Sequence, residues 1–106
     1  WQEFVIPLPD GVGTGKSAAV FDADGDGRND IVFSCEHADG ALSGMRWLAW
    51  TTSPTTGPWT SHEIGGPRGV KYDRIVLHDV DGDGDLDVLC CEERDQLGVF
   101  WYENPF

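Results

Sequence analysis

The chain has 106 residues, enough for one small domain that would bury only about two-thirds of its unfolded surface. Nineteen acidic against seven basic residues give a net charge of −12, so the positive footprint of a nucleic-acid binder is missing. No apolar run approaches the roughly 18 residues of a membrane span, and no charged-then-apolar leader precedes Trp1. The expectation is a soluble protein that does not insert into a membrane and whose leader is absent from this chain.

Taken in order, Trp1 to Ile6 reads as a short strand beginning with Trp and ending in Ile. Gly11-Val12-Gly13-Thr14-Gly15-Lys16-Ser17 imitates a phosphate-binding loop, but the glycine required five residues before Gly15 is Asp10, so the pattern fails. A strand near Ser17 to Phe21 then enters the loop Asp22-Ala23-Asp24-Gly25-Asp26-Gly27-Arg28-Asn29-Asp30. Strands follow near Ile31 to Cys35, Met45 to Trp50 and Trp59 to Ile64. The second half repeats this plan. A strand near Arg74 to His78 enters Asp79-Val80-Asp81-Gly82-Asp83-Gly84-Asp85-Leu86-Asp87, 57 residues after the first loop, and strands near Val88 to Glu92 and Gly98 to Tyr102 follow.

Carboxylates at loop positions one, three, five and nine, with glycine at six, bring side chains and one position-seven carbonyl around a single point. Such a set of hard oxygen donors suits calcium better than magnesium, which keeps several waters, or zinc, which takes nitrogen and sulfur. Two calcium ions per chain are expected. An EF-hand would require a glutamate at position twelve and flanking helices, whereas those positions are Phe33 and Cys90, on strands. Nine of the acids lie inside these loops, so much of the charge belongs to the expected metal sites.

The repeat extends past the loops. Trp1 to Ile6 matches Trp59 to Ile64 at an offset of 58, and Gly44 to Leu48 matches Gly98 to Tyr102 at 54. Four antiparallel strands per repeat is a propeller blade. The fold expected is therefore all-β: one two-blade unit over 1–106, with blade one at 17–64, the first three strands of blade two at 74–102, and residues 1–6 as a permuted closing strand. Trp47, Trp50, Trp59 and Trp101 are expected to pack between blades. Two blades cannot close a ring of about four to eight, so the others come either from copies of the same chain, giving six or eight blades, or from a longer chain. Three cysteines, Cys35, Cys90 and Cys91, read as buried free thiols, with a Cys35–Cys91 bridge or an intermolecular pairing as the alternatives.

The Asp-x-Asp-Gly-Asp-Gly-x-x-Asp loops, with Gly98-Val99-Phe100-Trp101-Tyr102-Glu103-Asn104-Pro105, resemble the FG-GAP/VCBS repeat propellers, related to the integrin α-subunit head and common in secreted bacterial proteins. That resemblance implies an extracellular or cell-surface location. It places the calcium ligands at Asp22, Asp24, Asp26, Arg28 (carbonyl) and Asp30, then Asp79, Asp81, Asp83, Asp85 (carbonyl) and Asp87. Alternation of strands puts the acidic loops on one face of the unit and the candidate ligand-binding residues Glu36, His37, Tyr72, Glu92, Glu93 and Arg94 on the opposite face, with Lys16, Arg68 and Lys71 nearby. Three functions fit: a non-enzymatic module binding a carbohydrate or protein, a polysaccharide lyase or glycosidase using His37, Tyr72, Arg94 or the Glu92/Glu93 carboxylates, and a structural unit without a ligand of its own.

Overall fold

A computed structural model describes residues 1–65 and 69–106; the expected site residue Arg68 lies outside them. Among the described residues there are seven strands and no helix, hence none long and apolar enough to cross a membrane. β1 (Thr14–Phe21), β2 (Asp30–Glu36), β3 (Met45–Trp50) and β4 (Trp59–Gly65) form one antiparallel sheet in chain order. β5 (Val76–His78), β6 (Asp87–Glu92) and β7 (Gly98–Tyr102) form a second. Seven of the eight expected strands are present, rich in the β-branched and aromatic residues that fit a pleated, half-buried surface. Their registers are equivalent: Ala19 pairs Val32, which pairs Trp47, just as Val76 pairs Leu89, which pairs Trp101.

The exception is the amino-terminal segment. Residues 1–6 form no strand in this chain, and β7 is left at the edge of a three-stranded sheet. Pro7 and Pro9 cannot donate to a ladder and discourage extending a strand through this region. Ile6 instead packs on Phe33, Cys35 and Leu48, with Val12 and Trp59, over the far face of the first sheet.

The main core lies between the sheets. Phe21, Val32, Met45 and Trp47 from the first meet Val88 and Cys90 from the second, with Tyr72 and Ile75 of the connecting segment between them. Cys35, Cys90 and Cys91 are free thiols, the first two buried and the third exposed, so the alternative Cys35–Cys91 bridge does not form. Burial pushes the Cys90 thiol up to about 11, which leaves it inert at neutral pH.

The connecting segment is laced to both sheets. Tyr72 N donates to Cys35 O at 3.0 Å, Asp73 N to Cys91 O at 3.0 Å, and Glu93 N to Lys71 O at 2.9 Å. Tyr72 itself has no exposed surface, and its ring occupies the space a side chain at residue 44 would need: a Cβ on Gly44 would fall 1.9 Å from Tyr72 Cε2. Overpacking of that kind costs about 1–3 kcal/mol and sometimes more. Gly44→Ala is therefore expected to lose about 3 kcal/mol in a denaturant melt, whereas Gly40→Ala, which meets open space but has φ of 65°, should lose only the smaller cost of a strained turn.

Candidate metal centre

Each acidic loop begins where an incoming strand ends and finishes on the first residue of the outgoing one. Phe21 pairs Asp30 across the first hairpin, and His78 pairs Asp87 across the second. Pairing of the strands thus returns loop position nine to the neighbourhood of position one. Within the first loop Asp22 accepts Asp26 N at 3.0 Å and Gly27 N at 2.8 Å, and Asp24 accepts Asp26 N at 3.2 Å. In the second, Asp79 accepts Gly82 N at 2.7 Å and Gly84 N at 3.0 Å, and Asp81 accepts Asp83 N at 3.3 Å. Gly25 and Gly27, like Gly82 and Gly84, take φ between 73° and 106°, a region side chains disfavour, so the two loops wind the same way.

Carboxylate oxygens of Asp22, Asp24 and Asp30 lie within 4.8 Å of one another, as do those of Asp79, Asp81 and Asp83. Asp30 is 1% exposed; one oxygen accepts Ala23 N at 3.0 Å, and Oδ1 is buried with no hydrogen-bond partner among the described residues. A buried carboxylate oxygen without a partner is costly, and here it belongs to the residue that closes the cluster. Burial first, then the neighbouring carboxylates of Asp24, Asp26 and Asp22, holds the Asp30 carboxyl above its ordinary range despite the Ala23 amide. A cation at the cluster would relieve both penalties, so the residues present fit a hard divalent ion.

The loops differ in detail. Asp26 turns to Arg28, whose Nη2 pairs with Asp26 Oδ2 while its Nε donates to Trp50 O at 3.1 Å and its guanidinium lies 5.6 Å from the Trp50 ring centre. Asp87, the repeat equivalent of Asp30, has both oxygens engaged, by Val80 N at 3.0 Å and Asn104 N at 2.9 Å. Those two amides, Asn104's first, hold its carboxyl below the ordinary range. Asp85 Oδ1 is buried without a hydrogen-bond partner among the described residues, and burial followed by the surrounding carboxylates raises the Asp85 carboxyl. Two contributors carry no metal-ligand signature: Trp50, whose Nε1 donates to Asn29 O at 2.9 Å, and Asn104, whose side chain donates to Ala23 O of the first loop at 3.1 Å. Asn104 thereby touches both acidic loops.

Away from the acidic loops, the candidate ligand-binding residues gather around the connecting segment but are not equally available. Glu36 pairs with Lys16 at 3.4 Å, Glu93 with Lys71 at 2.6 Å, and Arg94 with Asp39 at 4.0 Å. His37 is exposed, with φ of 55°. Two expectations need correction. Tyr72 is wholly interior, and Glu92 is only 3% exposed. Glu92 accepts from Val70 N at 3.4 Å, Lys71 N at 3.2 Å, Arg94 N at 3.0 Å and Asp95 N at 2.8 Å, so it organises two loops and presents no free oxygen to a ligand. The repeat offset held the signal: Glu92 is the counterpart of Cys35, which has no exposed surface. Trp101, expected between blades, is 47% exposed, whereas its counterpart Trp47 is 8% exposed.

Paired acidic loops on hairpins, repeated across two equivalent sheets, define an all-β repeat protein with loop-borne carboxylate clusters. Residues 22–90 match the model of the FG-GAP-like repeat, and the chain belongs to that family. No curated protein and no solved structure matches it significantly.

Burial raises the Glu92 carboxyl, but the four amides outweigh it and hold the group below its ordinary range. Stability from this group is fully present above the unfolded-state value and is lost as pH falls through the lowered folded value. Glu92→Gln should therefore cost about 2 kcal/mol at neutral pH and flatten the acid limb of the stability profile. Amide exchange at Val70, Lys71, Arg94 and Asp95 should speed up together.

Proposed function

We propose that the chain is a calcium-stabilised, non-enzymatic β-propeller module that works as a binding or assembly unit outside the cell. The observation that carries the ion reading is the buried Asp30 Oδ1, without a hydrogen-bond partner among the described residues, on a carboxylate that clusters with those of Asp22 and Asp24. Asp22, Asp24 and Asp30, with Asp26 and the Arg28 carbonyl, would hold one ion. Asp79, Asp81 and Asp83, with the Asp85 carbonyl and Asp87, would hold the other. The ions supply charge neutralisation: carboxylates converging within one turn repel one another, and a bound divalent cation turns that repulsion into a hairpin clamp. Sites of this kind in extracellular modules fill at roughly 10⁻⁴–10⁻³ M calcium, which fits a location at or beyond the cell surface. A carbohydrate or protein ligand would meet the surface formed by Glu36, His37, Glu93 and Arg94, where charged side chains already sit in opposed pairs.

Calcium at a hundredfold over its dissociation constant stabilises a protein by about 2.7 kcal/mol per site. Thermal melts in calcium and in excess chelator should differ accordingly, and calorimetry should count two ions per chain, falling to one in Asp30→Asn. Equal melting temperatures in the two conditions would sink this reading. Magnesium is expected to stabilise less, because the loops offer more oxygens than an ion that keeps its waters can use.

A further inference from the structure

The two acidic loops share one motif, yet different carboxylates converge in each. In the first loop they belong to positions one, three and nine (Asp22, Asp24 and Asp30); in the second, to positions one, three and five (Asp79, Asp81 and Asp83). At position five of the first loop a single residue engages both oxygens of Asp26: Oδ1 accepts Arg28 N at 2.8 Å, and Oδ2 pairs with Arg28 Nη2. Its counterpart Asp83 accepts Asp85 N at 3.2 Å and, among the described residues, pairs with no lysine or arginine. At position nine the pattern reverses. Asp87 accepts one amide on each oxygen, from Val80 and Asn104, whereas Asp30 Oδ1 is buried with no hydrogen-bond partner among the described residues.

One repeat position accounts for the exchange. Trp50 and Asn104 are counterparts, displaced by the 54 residues that relate the third strands. Each uses a side-chain N–H to hold the carbonyl at loop position eight: Trp50 Nε1 donates to Asn29 O at 2.9 Å, and Asn104 Nδ2 to Leu86 O at 3.5 Å. There the likeness stops. Trp50 also seats Arg28, whose Nε donates to the Trp50 carbonyl at 3.1 Å and whose guanidinium lies 5.6 Å from the ring centre. A planar guanidinium fixed at Nε keeps its remaining donors aimed in one direction, here at Asp26. Asn104 instead turns its backbone amide on Asp87.

We propose that the two loops are unequal calcium sites that fill in order, the 79–87 loop first, and that Arg28 sets the weaker affinity of the 22–30 loop by competing with the ion for Asp26. The inference rests on the calcium reading and deepens it. To bind in the first loop, a hard cation must either displace a charged donor from Asp26 or do without that ligand, and in both cases it sits beside a fixed positive charge. Neither cost applies in the second loop, where position seven is Asp85. Between the calcium levels that fill the two sites the second hairpin is already clamped and the first still responds, so the first loop is the calcium-sensing part of the chain.

The test titrates calcium into the chelator-stripped chain and follows the amides of Gly27 and Gly84 by NMR. These are equivalent reporters, donating to Asp22 Oδ2 at 2.8 Å and to Asp79 Oδ2 at 3.0 Å. The Gly84 signal should complete its shift at lower calcium than the Gly27 signal, and the Trp50 indole N–H should move together with Gly27. In Arg28→Gln the Gly27 step should move to roughly tenfold lower calcium, the size of a single charge effect at a partly exposed site, while the Gly84 step stays in place. Tightening on removal of a side chain is a result that loss of a merely structural contact would not give. Coincident steps in the unmodified chain, a Gly27 step that comes first, or an Arg28→Gln variant whose Gly27 step is unmoved or weaker would each overturn the proposal while leaving the calcium reading in place. No shift at either glycine would remove both.

Discussion

Tyr72 is the residue around which the two repeats are set. It is buried between the sheets in space that glycine at residue 44 leaves open, and the backbone on either side of it pairs with the end of β2 and the end of β6. The constraint is one of volume and of hydrogen bonding together: interiors are close-packed, and a buried linker must find partners for its amides. With the linker fastened to both sheets, the spacing and orientation of the repeats follow. The two acidic loops then fall close enough for Asn104 to reach both, donating to Ala23 O and, through its backbone amide, to Asp87.

Much of this arrangement was legible in the chain. The nine-residue acidic motif located the hairpins to within a residue or two, because its strand-flanked spacing leaves few alternatives, and the third strand of each repeat followed from the offset. What could not be read was context at the level of single residues. Asp30 and Asp87 occupy the same motif position, but only the second is capped by Asn104 N, an interaction between residues 17 apart in the chain. Glu92 looked like a surface acid because it sits among Glu93, Arg94 and Asp95; it is interior because its backbone position corresponds to a core cysteine. Trp47 and Trp101 carry one side chain at one repeat position, and their unequal burial reflects which faces the two sheets use, a property of the pair and not of either residue.

Repeat proteins derive their stability from contacts between neighbours as much as from each unit, and this chain shows why. The second sheet has three strands, and one of its faces is apolar and open. The first sheet has four strands and a second small cluster on its far side, built from Phe33, Cys35 and Leu48 with Ile6 from the amino-terminal segment. One repeat is thus better insulated than the other, although both follow the same plan.

The same inequality appears in the loops. The first carries four aspartates and one arginine, a formal −3, and the second five aspartates and no cation, a formal −5. Arg28 is held over Trp50 and against Asp26, so the first hairpin has a built-in counterion anchored to the neighbouring strand. Among the described residues no lysine or arginine pairs with the second. In water free of divalent ions the chain therefore has a polarity of failure: like-charge repulsion is greatest in the repeat with the fewest strands, fraying begins at the 79–87 turn, and the amino-terminal sheet is the last to come apart.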